Sequence, residues 1–400
     1  MHMSPNTSGT NTPLRGVLTE SLDAVRERQL SAFTNLLAGC ENRCVIFGCG
    51  GLGRRAISKL TELGAPPVAL CDNNEALWGT KIETIPVFSV AEAAARFGAD
   101  ALFLIAVWNP QHWYGETAQQ LRAAGVRSIT SFLPLFWRYP KDFLPVLLLN
   151  DLPENVYASR EDVFAAEEYW ADEVSLDIYR ANIQWRALGN AELMPTRPYT
   201  NTYFSEELIR RVSNESLVDC GAYDGDTLRE FLACYDSNFA AVYPIEGDSV
   251  SFDKLSRYVG SLPSSLSSKI HPIHCALGAT RGVVRFSADG VTGSNIEHAD
   301  TAGLDVPCYP LDELPIPEQV TMIKMDIEGA EYDALLGARR MIQRDSPVLA
   351  ICVYHTQSDI WRIPLLVRSM LPEHKLYLRS YEGDGFQTVM YAVPPDRVPI

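Results

Sequence analysis

Leu217-Val218-Asp219-Cys220-Gly221-Ala222-Tyr223-Asp224-Gly225-Asp226-Thr227 is the stretch that decides the fold of the C-terminal half. An apolar run enters a glycine turn and leaves it as a helix whose Leu228, Phe231, Leu232 and Tyr235 share one face. Strand, turn and helix in that order open a parallel α/β sheet. Glycine at 221 and 225 lets the backbone approach a ligand closely. The plain structural alternative is a glycine turn held by Asx hydrogen bonds.

The charge of the turn narrows the ligand. Asp219, Asp224 and Asp226 together would repel a pyrophosphate, and they would attract the ammonium of a methionyl group and tolerate a sulfonium. The turn therefore points to S-adenosylmethionine rather than to a dinucleotide. Its expected contacts are Asp219, Gly221, Ala222, Tyr223, Asp224, Gly225 and Thr227.

Outward from the turn the alternation continues. Expected strands are Ser216 to Cys220, Ala241 to Ile245, Ile270 to Ala276, Val283 to Phe286, Thr321 to Asp326 and Val348 to Tyr354, with a closing hairpin of Lys375 to Ser380 and Gln387 to Val393. A parallel sheet ended by an antiparallel hairpin is the class I methyltransferase pattern. Glu246 closes the second strand about twenty residues beyond the turn, where a carboxylate can accept both ribose hydroxyls. Ala276 and Leu277 end the third strand and offer backbone amides to an adenine. Asp326, Glu328 and Glu331 gather at the end of the fourth strand, and His355 follows the fifth. Open α/β sheets place ligands at such strand ends. Asp326 is the first candidate base for an acceptor hydroxyl and also faces the cofactor; His355 and Glu328 stand behind it. Glu331 also suits a simple first-turn helix acid. No metal ligand set is assigned, although the acids here offer an alternative in which Mg²⁺ acidifies a diol.

Val218 to Thr227 (VDCGAYDGDT) and Ile323 to Arg340 (IKMDIEGAEYDALLGARR), in this order and separation, resemble FkbM-type methyltransferases. Tyr309 to Leu314 (YPLDEL) and Ser294-Asn295 add to the resemblance, which covers about Thr202 to Pro394. It implies a Rossmann-like methyltransferase fold and O-methylation of a hydroxyl on a sugar or secondary metabolite. Many relatives carry a glutamate shortly before the histidine-like position, where this chain has Ala350-Ile351-Cys352-Val353-Tyr354-His355.

The N-terminal half also alternates strand and helix, with strands expected at Arg43 to Gly48, Pro67 to Asp72, Ala101 to Val107 and Arg127 to Phe132. Gly48, Gly50 and Gly53 fit G-x-G-x-x-G, Asp72 closes the next strand about twenty residues on, and Arg54 and Arg55 stand at the helix start. No dehydrogenase constellation follows. The segment from Asp72 to Val87 resembles small nucleotide-binding domains of sugar-modifying enzymes, which implies a nucleotide or nucleotide sugar here. A degenerate scaffold for dimerisation stands beside that reading. For the whole chain, an NAD-linked oxidoreductase and a non-catalytic nucleotide-binding protein are the alternatives to a methyltransferase.

The expected organisation is a tail over 1–13, a Rossmann-like domain over 14–149, a helical linker over 150–201 and a class I methyltransferase domain over 202–400. The tail has no apolar core that could act as a signal sequence. With 400 residues, 46% of them hydrophobic, the chain can build two cores. A net charge of −16 disfavours nucleic acid and anionic membrane surfaces as partners. The expected partner is a small-molecule acceptor, and a homodimer stays open. Nine scattered cysteines, several in apolar runs, suit a reducing compartment, so the cytoplasm is expected.

Overall fold

The computed structural model describes residues 12–146, 149, 151–194, 202–287, 303–317 and 319–399. Ser294-Asn295 and most of the expected tail lie outside them. The chain divides into two compact units, one of Met1–Phe164, Asp177–Pro198 and Glu382–Phe386, the other of Ala165–Leu176, Tyr199–Tyr381 and Gln387–Ile400. Both are mixed α/β structures. In the stretch 150–201 the chain forms helices Pro153–Ala158, Arg160–Glu167 and Glu173–Leu188.

The first unit holds strands β1 (Cys44–Phe47), β2 (Ala69–Cys71), β3 (Lys81–Ile82), β4 (Ile85–Phe88), β5 (Leu102–Ile105) and β6 (Ser128–Ser131). They form one sheet in the order β3-β4-β2-β1-β5-β6. All neighbours run parallel except the β3/β4 ribbon. The central strands, Cys-Val-Ile-Phe and Leu-Phe-Leu-Ile, are buried throughout, as strands covered on both faces must be. The ribbon was not expected. It is too short to show an alternating pattern, and Pro86 sits inside it.

In the second unit the strands are β7 (Ser216–Cys220), β8 (Ala241–Glu246), β9 (Ile273–His274), β10 (Ala276–Leu277), β11 (Gly282–Ser287), β12 (Gly303–Tyr309), β13 (Met322–Met325), β14 (Val348–Cys352), β15 (Lys375–Ser380) and β16 (Thr388–Val393). Seven build the main sheet in the order β15-β16-β14-β13-β7-β8-β9. Only β16 runs against its neighbours. The remaining three form a small sheet, β10-β12-β11. The single strand expected over 270–276 is therefore two, and Cys275 separates the part in the main sheet from the part in the small one. The chain goes from β7 to β8 on one side, while β13 lies on the other. That reversal makes the end of β7 the switch point at which such sheets open a crevice.

Candidate active site

A cavity of about 270 Å³ lies at this switch point. Gly221 carries the chain out of β7 with φ +79°, and a Cβ there would stand 1.9 Å from the Asp326 carbonyl oxygen. Gly225, φ +92°, is pressed against the Tyr258 ring, 2.9 Å from where its Cβ would be. Both glycines thus serve close packing within the protein, in addition to any approach of a ligand.

Asp219, expected beside the cofactor, lies inside the sheet. It is fully buried, lies opposite Lys324 in the β7/β13 register and pairs with its Nζ at 3.0 Å. Burial pushes its carboxyl up to about 6, against the pull of Lys324. Lys324 is itself only 2% exposed, and its Nζ donates to the Gly221 carbonyl at 2.7 Å. Asp219 stays outside the cavity lining, as do Ala222, Asp224 and Gly225. Ala222 belongs to the core, and Asp224 pairs with Arg229 at 2.8 Å. Of the three acids in the turn, Asp226 alone faces the cavity.

Gly221, Tyr223, Thr227, Glu246, Ala276, Leu277, Asp326 and Glu328, all expected at the site, do line it. Glu246 reaches back to the turn. One oxygen accepts from the Tyr223 N–H and the other from the Asp248 N–H, each at 2.7 Å. Each oxygen keeps a lone pair for a further donor. Burial raises its carboxyl to about 7, although those two N–H groups oppose the shift. Asp248 also caps the helix Ser249–Ser261 by accepting from the Ser251 N–H. Glu230, not foreseen, lines the cavity with its carboxyl pushed up to about 7 by burial and by Asp226. Among the described residues, six carboxylates line the space (Asp226, Glu230, Glu246, Asp248, Asp326 and Glu328) against one lysine already paired with Asp219.

At the end of β13, Asp326 accepts from the Tyr203 hydroxyl at 2.9 Å and faces His355 Nε2 at 3.3 Å. Burial would raise its carboxyl, but His355, Lys324 and Tyr203 hold it well below the usual range. A carboxylate so stabilised is a weak proton acceptor, which counts against Asp326 as the sole base. The chain then turns through Glu328 (φ +57°) and Gly329 (φ +100°). Glu331 follows, fully buried. It accepts from the Ile327 N–H at 2.8 Å and the Gly329 N–H at 3.0 Å, and it meets His355 Nδ1 at 2.8 Å. It opens the helix Glu331–Gly337 as a first-turn acid, but with its carboxylate turned inward to these partners. His355 stands behind the lining, its imidazole pulled down by burial but held above its ordinary range by Glu331 and Asp326. Tyr203 lies before β7 and belongs to no motif, so nothing in its local sequence announced it.

In the first unit, Gly48 has φ +100°, and a Cβ on Gly53 would stand 1.9 Å from the Gly48 carbonyl oxygen. Gly50 precedes the helix Gly51–Glu62 without a side-chain cap, and a Cβ there would meet nothing within 4 Å. Asp72 accepts from the Cys49 N–H at 2.8 Å and the Asn74 N–H at 2.9 Å. Arg55 turns away to the carbonyls of Asp142 and Phe143, whereas Arg54 stays exposed. Among the described residues no helix is long and apolar enough to cross a membrane.

The second unit is thus a seven-stranded α/β domain with a cavity at its switch point. Residues 219–382 match the family described as the Methyltransferase FkbM domain. The crystal structure of Methyltransferase FkbM from Methylobacillus flagellatus KT is similar to this chain with a TM-score of 0.73 and 23% identity, over 95% of this chain and all of that one. At that identity it shows the shared fold. Precorrin-6y C5,15-methyltransferase from Geobacter metallireducens GS-15 is similar at 11% identity and TM-score 0.28, over 50% of this chain and 94% of that one. The fibrillarin/Nop5p complex is similar at 14% and 0.28, over 47% and 77%. Neither of these two weak likenesses carries an argument. No curated protein sequence matches the chain.

Proposed function

We propose that the second unit is an S-adenosylmethionine-dependent methyltransferase acting on a hydroxyl of a small sugar or secondary metabolite. The observation that carries this reading is the six-carboxylate lining, with its single lysine already neutralised. Such a cavity suits a ligand bearing both a sulfonium and an ammonium, and it opposes a pyrophosphate. The match of residues 219–382 to a methyltransferase domain supports it. Glu246 is suited to hold the ribose hydroxyls, Ala276 and Leu277 to flank the base, and Gly221, Tyr223, Asp226 and Thr227 to surround the methionyl end. Bound there, the cofactor supplies an electrophilic methyl group. The chain's part is then to hold the acceptor oxygen in line and exclude water. Asp326, fixed by Tyr203, is placed to accept the hydroxyl's hydrogen bond.

In the first unit, the uncapped helix start at Gly50 and the exposed Arg54 support a nucleotide or nucleotide-sugar site. All nine cysteines are free thiols, which supports the cytoplasm as the place of action. Calorimetric titration with S-adenosylhomocysteine and with NAD tests the main reading. Binding of the former at the second unit is expected. Tight NAD binding without S-adenosylhomocysteine binding would overturn it in favour of an oxidoreductase.

A further inference from the structure

Two deeply buried polar atoms at the end of β13 and just beyond β14 make no hydrogen bond: Asp326 Oδ1 and His355 Nε2. They lie 3.3 Å apart, and Glu328 Oε2 lies 3.5 Å from the same nitrogen. Buried polar atoms in folded proteins are nearly always satisfied by protein, water or an ion. His355 is only 6% exposed at its side chain, and its orientation is fixed from behind. Both Glu331 oxygens already accept backbone N–H groups, so the imidazole Nδ1 donates to it at 2.8 Å, and Nε2 faces the two carboxylates.

This is how histidine is prepared for a metal: one nitrogen on a carboxylate, the other left as a donor. Donors about 2.0–2.2 Å from one ion, set 90–110° apart around it, are themselves separated by roughly 2.8–3.6 Å. That range includes the 3.3 and 3.5 Å that separate His355 Nε2 from Asp326 Oδ1 and from Glu328 Oε2. Donor atoms of Asp326, Glu331 and His355 all lie within 4.8 Å of one another. Glu331, however, already accepts two backbone N–H groups and the imidazole, so its place is behind the ligand. The left-handed turn at Glu328 and Gly329 returns the Glu328 carboxylate towards His355, a strained backbone of the kind found at functional sites.

We propose that His355 Nε2 and Asp326 Oδ1 bind a divalent first-row transition-metal ion at the cavity wall, with the Glu328 carboxylate, 3.5 Å from the same nitrogen, drawn in as a third ligand and Glu331 positioning His355. One imidazole with two carboxylates favours Zn²⁺, Co²⁺ or Mn²⁺ over Mg²⁺ and Ca²⁺, which prefer all-oxygen sets. Asp326 and Glu328 line the cavity, so the remaining coordination positions open into it. An acceptor hydroxyl placed there would become more acidic. That role rests on the methyltransferase reading; the binding of the ion does not.

The test uses the full chain stripped with a chelator, at about pH 8 so that protons compete weakly. Co²⁺ is titrated and followed by its visible absorption, and Zn²⁺ is measured by elemental analysis after dialysis. Stoichiometric binding is expected, weakened at least about 100-fold by His355→Ala and about 10- to 100-fold by Glu331→Gln. Should His355→Ala fail to fold, judged by circular dichroism, Asp326→Asn carries the same comparison. The absence of stoichiometric metal, or equal affinity in the folded variant, would overturn the proposal and leave the site as an imidazolium held between carboxylates. S-adenosylhomocysteine titration of the stripped protein reads the cofactor site separately, so metal binding without it would sink only the methyltransferase reading.

Discussion

The two units carry the same device and use it differently. In each, a buried strand enters a glycine turn, a helix follows, and the next strand ends in an acid that reaches back to the turn. Asp72 accepts from Cys49 and Asn74; Glu246 accepts from Tyr223 and Asp248. The glycines differ. In the first turn Gly53 packs against the turn's own Gly48 carbonyl, which closes helix onto strand, and Gly50 faces open space. In the second, Gly221 packs against the carbonyl of Asp326, at the end of the neighbouring strand. The central strands differ as well: β1 and β5 are wholly apolar, whereas β7 and β13 hold the Asp219–Lys324 pair. The turn itself is a generic backbone device. The groups at the neighbouring strand ends decide its chemistry.

The largest break in this comparison is expected from Gly221→Ala. The new methyl would overlap the Asp326 carbonyl, and φ +79° is strained for alanine. A loss of about 3–5 kcal/mol in urea unfolding is expected, with S-adenosylhomocysteine binding abolished. Gly53→Ala should cost a similar amount, yet through the first unit's turn. Unchanged stability in Gly221→Ala would show that the close approach to Asp326 is not required.

Lys324→Met should come next. It leaves Asp219 buried without its partner, a change that typically costs about 3–5 kcal/mol. The double variant Asp219→Leu/Lys324→Met should recover much of that, because two apolar side chains suit this interior as well as an ion pair. No recovery in urea unfolding would mean that the lysine acts through its hydrogen bond to Gly221 instead.

What the sequence showed and what it hid follow from the same contrast. β7, β8, β13 and β14 were legible because each is an apolar run, and most end in or beside an acid or histidine. Their order in the sheet is invisible locally, so the Lys324–Asp219 register and its removal of Asp219 from the cavity could not be foreseen. Glu331 resembled an ordinary helix acid because a single sequence does not show burial. β12 was not among the expected strands. The strand ends already gathered Asp326, Glu328 and Glu331 with His355 beside them, but the place of Glu331 behind His355 and the partner Tyr203 needed the fold.

The acids of the two devices can be set against each other directly. Burial raises Glu246 to about 7, and ribose hydroxyls prefer its charged form. Protonation therefore competes with the cofactor, and S-adenosylhomocysteine affinity should be full above pH 7 and fall by up to about tenfold per unit below it. Glu246→Gln should weaken binding about tenfold at pH 8, worth about 1.4 kcal/mol, and flatten this pH dependence. Asp72→Asn should leave both unchanged. A pH profile that survives Glu246→Gln would assign the titration to another cavity acid, such as Glu230.

The smallest effect is the most discriminating for the first unit. Gly50 has φ −77°, and its Cβ would meet nothing within 4 Å, so Gly50→Ala should change stability by less than about 1 kcal/mol, the range of a weakened helix cap. The same methyl group would stand where a phosphate must approach the helix N-terminus. If the first turn holds a nucleotide sugar, Gly50→Ala should lower affinity for a uridine diphosphate sugar about tenfold or more while thermal stability stays constant. Equal binding in variant and parent would place the nucleotide elsewhere, and no binding in either would leave the turn as scaffold. Each outcome separates the two turns in a way their shared geometry does not, because only a substitution that costs the fold little can report on a ligand.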